Sequence, residues 1–324
     1  MHRLCALLVL SSAALAQSGE FAARVIAFDD MGMAGGGIFN PANLLGQPDG
    51  LVHSLGIGGW ATVGFDVVIT DGPGADLIIT ENSFFSGSLP GAFAEMVFVE
   101  VSSDGVNFAR IPNAYYGPAV SPGPFGVINV AMYSGLAGAT PGNPLATDPL
   151  DVVDAGGDAI DLADAASDPL VLSGAVDLTA ITQLRLVDVR DGVDTDSRGV
   201  VIRDPGGGSS DPDGVAVIHH TGNLSPNGPN VDVVVPASGQ FSFTIEDPDG
   251  LGDLDPASLR MALWGIELPI ASLLPALQAT RFDATGFTLQ LIAPLPNGFP
   301  IRVSVSAKDL AGHRAGDTRT RPLN

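Results

Sequence analysis

Residues 93–112 read FAEMVFVEVSSDGVNFARIP, and this stretch decides the fold class. Glu95–Ser102 is a β-branched run that alternates about Val97, Val99 and Val101, as a half-buried strand does. Asp104-Gly105 then breaks the run with turn chemistry. Outward from it the same unit recurs. Arg24–Phe28, Ala61–Thr70, Asp76–Thr80, Leu184–Val189, Val200–Arg203 and Val215–His219 are strand-like runs separated by Gly, Pro and Asp. The only helix-like patch is Asp158–Ala166, too short to connect parallel strands. The expectation is therefore all-β, with an antiparallel jelly-roll β-sandwich over residues 20–222.

Composition agrees. The 324 residues include 41 Gly and 25 Pro, which disfavours a helical bundle, while 45% hydrophobic content supports packed cores. The charge is −22, from 36 acidic and 14 basic side chains. Such a surface does not neutralise phosphates, so nucleic acid is excluded as a partner. The acids are 30 Asp and only 6 Glu, with Lys308 the single lysine. Asp favours turns, caps and metal-binding loops over helix surfaces.

The N-terminal residues 1–16, MHRLCALLVLSSAALA, have a short basic start, an apolar run and a small-residue cleavage site. This is the pattern of a secretory signal peptide, so export to the cell surface or medium is expected. The only cysteine, Cys5, lies inside it, leaving no disulfide framework. Later apolar runs are too short to span a bilayer.

A turn-rich segment at 223–230 reads as a linker. Between Glu20 and Asn227 there are 26 acids and 6 arginines, four of which (Arg185, Arg190, Arg198, Arg203) fall close together. From Gly228 onward there are 10 acids and 7 bases. Residues 231–324 contain runs at Val231–Val235, Gln240–Ile245, Ser258–Leu263, Thr280–Phe282, Gly286–Ile292 and Ile301–Ala307. That spacing predicts a smaller immunoglobulin-like β-sandwich, serving as a spacer.

Three acidic groups carry the chemistry. Glu81-Asn82 ends one strand and Glu95 opens the next, so hairpin-related ends bring two carboxylates together, which repel unless a cation or proton lies between them. Gly156-Gly157-Asp158-Ala-Ile-Asp161 has two readings. The aspartates lie three apart on one helical face as ligands, or Asp158 caps a short helix whose first turn holds Asp161 and Asp164. Asp188, Asp211 and Asp213 sit at the ends of later strands. If these ends share one pole of the sandwich, Glu81, Asn82, Glu95, Asp158, Asp161, Asp188 and Asp213 supply one structural Ca²⁺ site. Asp247-Pro-Asp249-Gly-Leu-Gly-Asp253-Leu-Asp255 has the look of a DxDG calcium loop but lacks the distal Glu, and reads as a turn.

Seven phrases in fixed order carry a resemblance: GQPDG (46–50), SLGIGGWATVGFD (54–66), DGPGADLIITENSF (71–84), residues 93–112 as quoted, AGGDAIDLADA (155–165), LRLVDVRDG (184–192) and DPDGVAVI (211–218). Together they resemble a family of secreted bacterial cell-surface proteins, and VSSDGVNFARI with LRLVDV resembles galactose-binding-like (discoidin-like) sandwiches. The ending IRVSVSAKDLAGHRA resembles bacterial immunoglobulin-like modules. These resemblances imply a surface location and fold more than a reaction.

No GxSxG, HExxH, Walker or GxGxxG signature accompanies the required elements. His219-His220 reads as loop rather than zinc ligands. The expected function is an exported, non-catalytic binding or structural protein, stabilised by calcium and bound to an extracellular glycan or another envelope component. Trp60 is expected in the core and Tyr115-Tyr116 on the surface as a sugar platform. The alternative is a secreted carbohydrate-active enzyme using paired carboxylates of the first domain.

Overall fold

The computed structural model describes residues 19–32, 38–205 and 208–323, so the expected signal peptide and Cys5 lie outside the described residues. Alternating strands that each carry one apolar face must pair face to face, and they do so twice. A five-stranded antiparallel sheet runs in the order Arg24–Asp29, Trp60–Ile69, Ile181–Asp188, Val97–Ser102, Ala109–Arg110. A three-stranded sheet, Asp158–Ile160, Leu77–Glu81, Pro212–Val217, packs on it. Val63, Phe65, Val97, Val99, Leu184 and Leu186 from the first sheet meet Leu77, Ile79, Val215 and Val217 from the second in one buried cluster. The result is the jelly-roll sandwich that the period-two pattern predicts.

The outer face of the larger sheet is polar and paired across strands. Arg185 lies opposite both Thr62 and Glu100, and Glu100 opposite Arg110. Arg110 reaches Glu100 at 2.7 Å, while the Arg185 guanidinium covers the Phe108 ring at 3.7 Å. The other three clustered arginines are occupied locally, Arg190 with Asp194, Arg198 with Asp196 and Arg203 with Asp191. Val200–Arg203 forms no strand, only a bridge between Thr195 and Val201.

The second sandwich has two four-stranded sheets. One is Asn230–Val234, Ser242–Glu246, Gly286–Leu291, Leu277–Phe282, and the other Ile266–Glu267, Arg260–Leu263, Arg302–Lys308, Arg314–Thr320. Val233, Phe243, Ile245, Met261, Val303 and Val305 fill its core, giving the immunoglobulin-like unit expected. Its last strand, Arg314–Thr320, was not foreseen. Its inward positions include Asp317, whose buried carboxylate accepts the Val233 amide at 2.8 Å, so polar chemistry replaces the apolar alternation.

This unit is no free spacer, because it docks on the first sandwich through charge. Five of the seven bases of residues 228–324 pair with first-sandwich aspartates: Arg260 with Asp154, Arg302 with Asp158, Lys308 and Arg314 with Asp148, and Arg319 with Asp161 and Asp164. The Ala75 amide also bonds Gly316 O at 2.7 Å, and Ala262 joins the apolar cluster of Ile78, Val152 and Ala216. The Arg302–Asp158 pair, at 2.6 Å, is the most deeply buried of these contacts. Removing one partner of such a pair strands a charge without water. Arg302→Met is therefore expected to cost about 3–5 kcal/mol of stability in urea denaturation, and adding Asp158→Asn to recover most of it. A single Arg302→Met variant as stable as the parent would show that the pair does not hold the interface.

Candidate metal centre

Glu81 ends a strand of the smaller sheet, whereas Glu95 precedes a strand of the larger one. They approach across the end of the sandwich rather than through a shared hairpin. Two further acids join them from the segment before Pro212–Val217. Asp204 and Asp211 are held at that end by backbone amides, the Asn82 amide donating to Asp211 O at 3.2 Å and the Met96 amide to Asp204 Oδ2 at 3.1 Å. Asp188, the last residue of its strand, completes the group.

The four acids Glu81, Glu95, Asp204 and Asp211 share one chemical peculiarity. Each has one oxygen engaged or exposed and one buried oxygen with no partner among the described residues: Glu81 Oε2, Glu95 Oε1, Asp204 Oδ1 and Asp211 Oδ1. Glu81, Glu95 and Asp204 are each more than nine-tenths buried. Orphaned carboxylate oxygens in this state are costly unless a proton or a cation meets them. The electrostatics agree. Burial lifts Glu81 well above the usual carboxylate range, and the charges of Glu95, Asp211 and Asp158 add to the lift. Burial, then Asp211 and Asp188, pushes Glu95 up to about 8. Asp204 is raised by burial and by Asp188, Glu95 and Glu81.

Asp188 differs, since both its oxygens are engaged. Oδ2 accepts the Gly58 amide at 2.7 Å and Oδ1 accepts the Ser210 amide at 2.8 Å, and burial still raises it to about 6. It braces the loop that carries Asp204 and Asp211.

The other expected ligands go elsewhere. Asp213 is the extra residue of a bulge between Pro212 and Gly214, which turns its carboxylate outward to the amides of Asp49 and Gly50 at 3.2 and 2.9 Å. With Glu81 and Asn82 it lines a shallow cleft of about 190 Å³. Glu95 is not in that lining. Asp158 sits in a strand rather than a helix, accepting from Thr140 and Arg302, so it neither caps nor shares a helical face with Asp161. Asp161 is itself the cap, accepting the Ala163 amide at the start of the 3₁₀ turn Leu162–Ser167.

Asp161 instead faces Asp71 and Asp76, with one carboxylate oxygen of each within 4.8 Å of the others. Protein cations serve two of the three, while Asp71 Oδ1 is buried without a partner among the described residues. Arg319 lies 2.8 Å from Asp161, and His219 Nδ1 lies 2.9 Å from Asp76. His219 Nε2 faces the Arg314 carbonyl at 3.1 Å and must donate to it. The Nδ1–Asp76 contact therefore carries either an imidazolium proton or the proton of Asp76, whose burial raises it to about 6. His219 thus lies in the loop after Pro212–Val217, as expected, but is buried at the interface.

The aromatic expectation changes too. Tyr115 is buried, packs on Tyr133 at 5.2 Å and donates to Pro118 O, while Tyr116 lies under Arg198. Trp60 is half-buried beside Arg185. The exposed aromatics are instead Phe84 and Phe125, with half-buried Phe93 between them at ring-centroid distances of 5.4 and 6.3 Å. Phe84 and Phe125 are 56% and 84% exposed.

The chain matches no family model, and no curated protein matches it.

Every carboxyl of the centre with a resolved shift is raised, so the folded chain binds more protons than the unfolded one between about pH 4 and 8. Stability in EDTA is therefore expected to fall as pH rises through that window. Below it, the arginine-paired Asp194 and Asp196, whose carboxyls are lowered, reverse the sign. Urea denaturation across pH 4–8 reads this directly. Glu95→Gln should flatten the upper part of the profile, and a parent profile already flat would refute the protonation argument.

Proposed function

We propose that the chain is an exported, non-catalytic binding and structural protein whose first sandwich is held by one Ca²⁺ ion. The observation that carries this reading is the set of orphaned buried oxygens on Glu81, Glu95, Asp204 and Asp211; no three of these acids bring an oxygen each within 4.8 Å of one another, so the side chains must draw together to share one ion. All four donors are hard oxygens, with no thiolate or imidazole among them, which suits calcium over zinc or copper. Amide donors engage the second oxygen of Glu81 and of Asp204, which leaves the other oxygen of each for an ion. Asp188 acts as a brace and Asn82 contributes backbone rather than side chain.

An ion of this kind supplies rigidity that an exported fold would otherwise take from disulfides. Asp204 and Asp211, which border the pole it ties together, both lie outside regular secondary structure. The binding role is supported by the Phe84, Phe93 and Phe125 row, an apolar strip of the kind that marks interaction sites. An extracellular glycan is the partner this reading assigns to it. Catalysis by paired acids needs both to face one cleft, and the cleft beside Glu81 is lined by Asp213 but not by Glu95.

Melting with and without calcium tests the ion. At pH 7.5, calcium at about 100 times its Kd adds about 2.7 kcal/mol, a rise of roughly 5–10 °C. Glu95→Gln should melt higher than the parent in EDTA and lose most of that rise. A parent melting temperature unmoved by calcium would end the proposal. On a glycan array, Phe84→Ala with Phe125→Ala should weaken retention at least about tenfold without lowering the melting temperature. Hydrolysis of a retained glycan, lost in Glu95→Gln, would favour the enzyme instead.

A further inference from the structure

The segment Asp247-Pro-Asp249-Gly-Leu-Gly-Asp253-Leu-Asp255 follows the strand Ser242–Glu246 in the second sandwich and, from sequence, is a plain acidic turn. Its surroundings change that reading. It lies against the turn that joins Arg302–Lys308 to Arg314–Thr320. Leu254 bridges Asp309, the Leu310 amide donates to Asp253 O at 2.7 Å, and the Asp255 amide donates to Lys308 O at 2.9 Å. Two turns from opposite ends of the chain segment are thereby locked at one corner.

That corner gathers three carboxylates. One oxygen from each of Asp247, Asp253 and Asp309 lies within 4.8 Å of the other two. Asp247 is fully buried, and although Oδ1 accepts the Asp249 amide at 2.9 Å, Oδ2 has no partner. Asp309 is also buried, with Oδ1 accepting the His313 amide and Oδ2 facing His313 Nδ1. The Asp253 side chain makes no hydrogen bond or ion pair among the described residues, so its charge is free to face inward. Burial and the charges of Asp253, Asp309 and Asp249 all disfavour ionised Asp247.

No arginine or lysine pairs with Asp247, Asp253 or Asp309 among the described residues; His313 is the base that meets Asp309, while Lys308 and Arg314 are bound to Asp148 and Arg281 to Glu246 and Asp283. A turn that merely faced water would not need to seal an unpartnered carboxylate oxygen beneath two others. A hard divalent cation removes the repulsion and satisfies Asp247 Oδ2 in one step, with backbone carbonyls and water filling its coordination.

We infer that Asp247, Asp253 and Asp309 form a second Ca²⁺ site, which pins the corner of the second sandwich independently of the first domain. The site stands on its own residues and does not rest on the calcium reading of the first sandwich.

Titration calorimetry of the full chain with CaCl₂ alone tests it. The parent is expected to bind two ions, Asp253→Asn one, Glu95→Gln one, and the double variant none. Asp253→Asn should weaken calcium at the second site by at least about tenfold, since affinity follows ligand charge. Melting gives an independent sign. In EDTA, Asp253→Asn relieves repulsion and should melt above the parent; in calcium it should melt below it. A merely structural Asp253 would shift both in the same direction. If the parent and Asp253→Asn give the same isotherm, or the melting order does not cross, this site is refuted. If Glu95→Gln leaves the isotherm unchanged while Asp253→Asn removes one ion, the first-sandwich reading falls and this one stands.

Discussion

A carboxylate removed from water must find a cation, a proton or a set of donors, and this chain buries more of them than its few bases can serve. The fold can be understood as the answer given to each. Some aspartates take amides: Asp154 accepts Thr147 and Asp148, Asp213 accepts Asp49 and Gly50, and Asp161 caps a 3₁₀ turn. These are local solutions that shape loops and cost little, because the donors would otherwise be orphans of the turn. Others take a guanidinium, as Asp158 does. Others have neither answer in full, among them the groups around Glu81 and around Asp247, and single oxygens of Asp30 and Asp71.

The guanidinium solution explains the lopsided charge. The first sandwich carries nearly all the net negative charge, and the second spends most of its bases on it. The exposed pairs among these contribute little individually. Their value lies in register, since each base finds its own aspartate only when Gly316 also meets Ala75 and Ala262 meets the Ile78 cluster. The His219 ring sits in the same seam, linking Asp76 on one side to the Arg314 carbonyl on the other. Docking therefore couples apolar contact, which supplies adhesion, to charge pairing, which fixes orientation.

Much of the fold was legible in the sequence because period-two alternation survives wherever the inward residue is apolar. Trp60–Ile69, Val97–Ser102 and Gly286–Leu291 were placed to within a residue or two on that ground. It failed at Arg314–Thr320, where Asp317 takes an inward position. The site was legible only in part. Glu81, Glu95 and Asp188 were read as neighbours from their places at strand ends, but local spacing cannot report which sheet a strand joins. Asp158 looks helical beside Gly156-Gly157 yet pairs with the Leu77–Glu81 strand, and the bulge that ejects Asp213 has no separate sequence mark beyond Gly214. Asp204 was missed because its strand-like neighbourhood, Val200–Arg203, folds as a loop.

The two poles of the argument meet at Asp158. Its carboxylate is one of the charges that lift Glu81, yet Arg302 of the second sandwich neutralises it at 2.6 Å. If the seam opens and Arg302 leaves, Asp158 adds its uncompensated charge to a centre already rich in negative charge. The centre then holds protons, or any cation, more tightly than before. By linkage, a proton or cation held there must weaken the seam's own grip on Arg302 to the same extent. Docking the second unit and satisfying the Glu81 group therefore touch through Asp158, one contributor to the potential at Glu81, where burial is the largest.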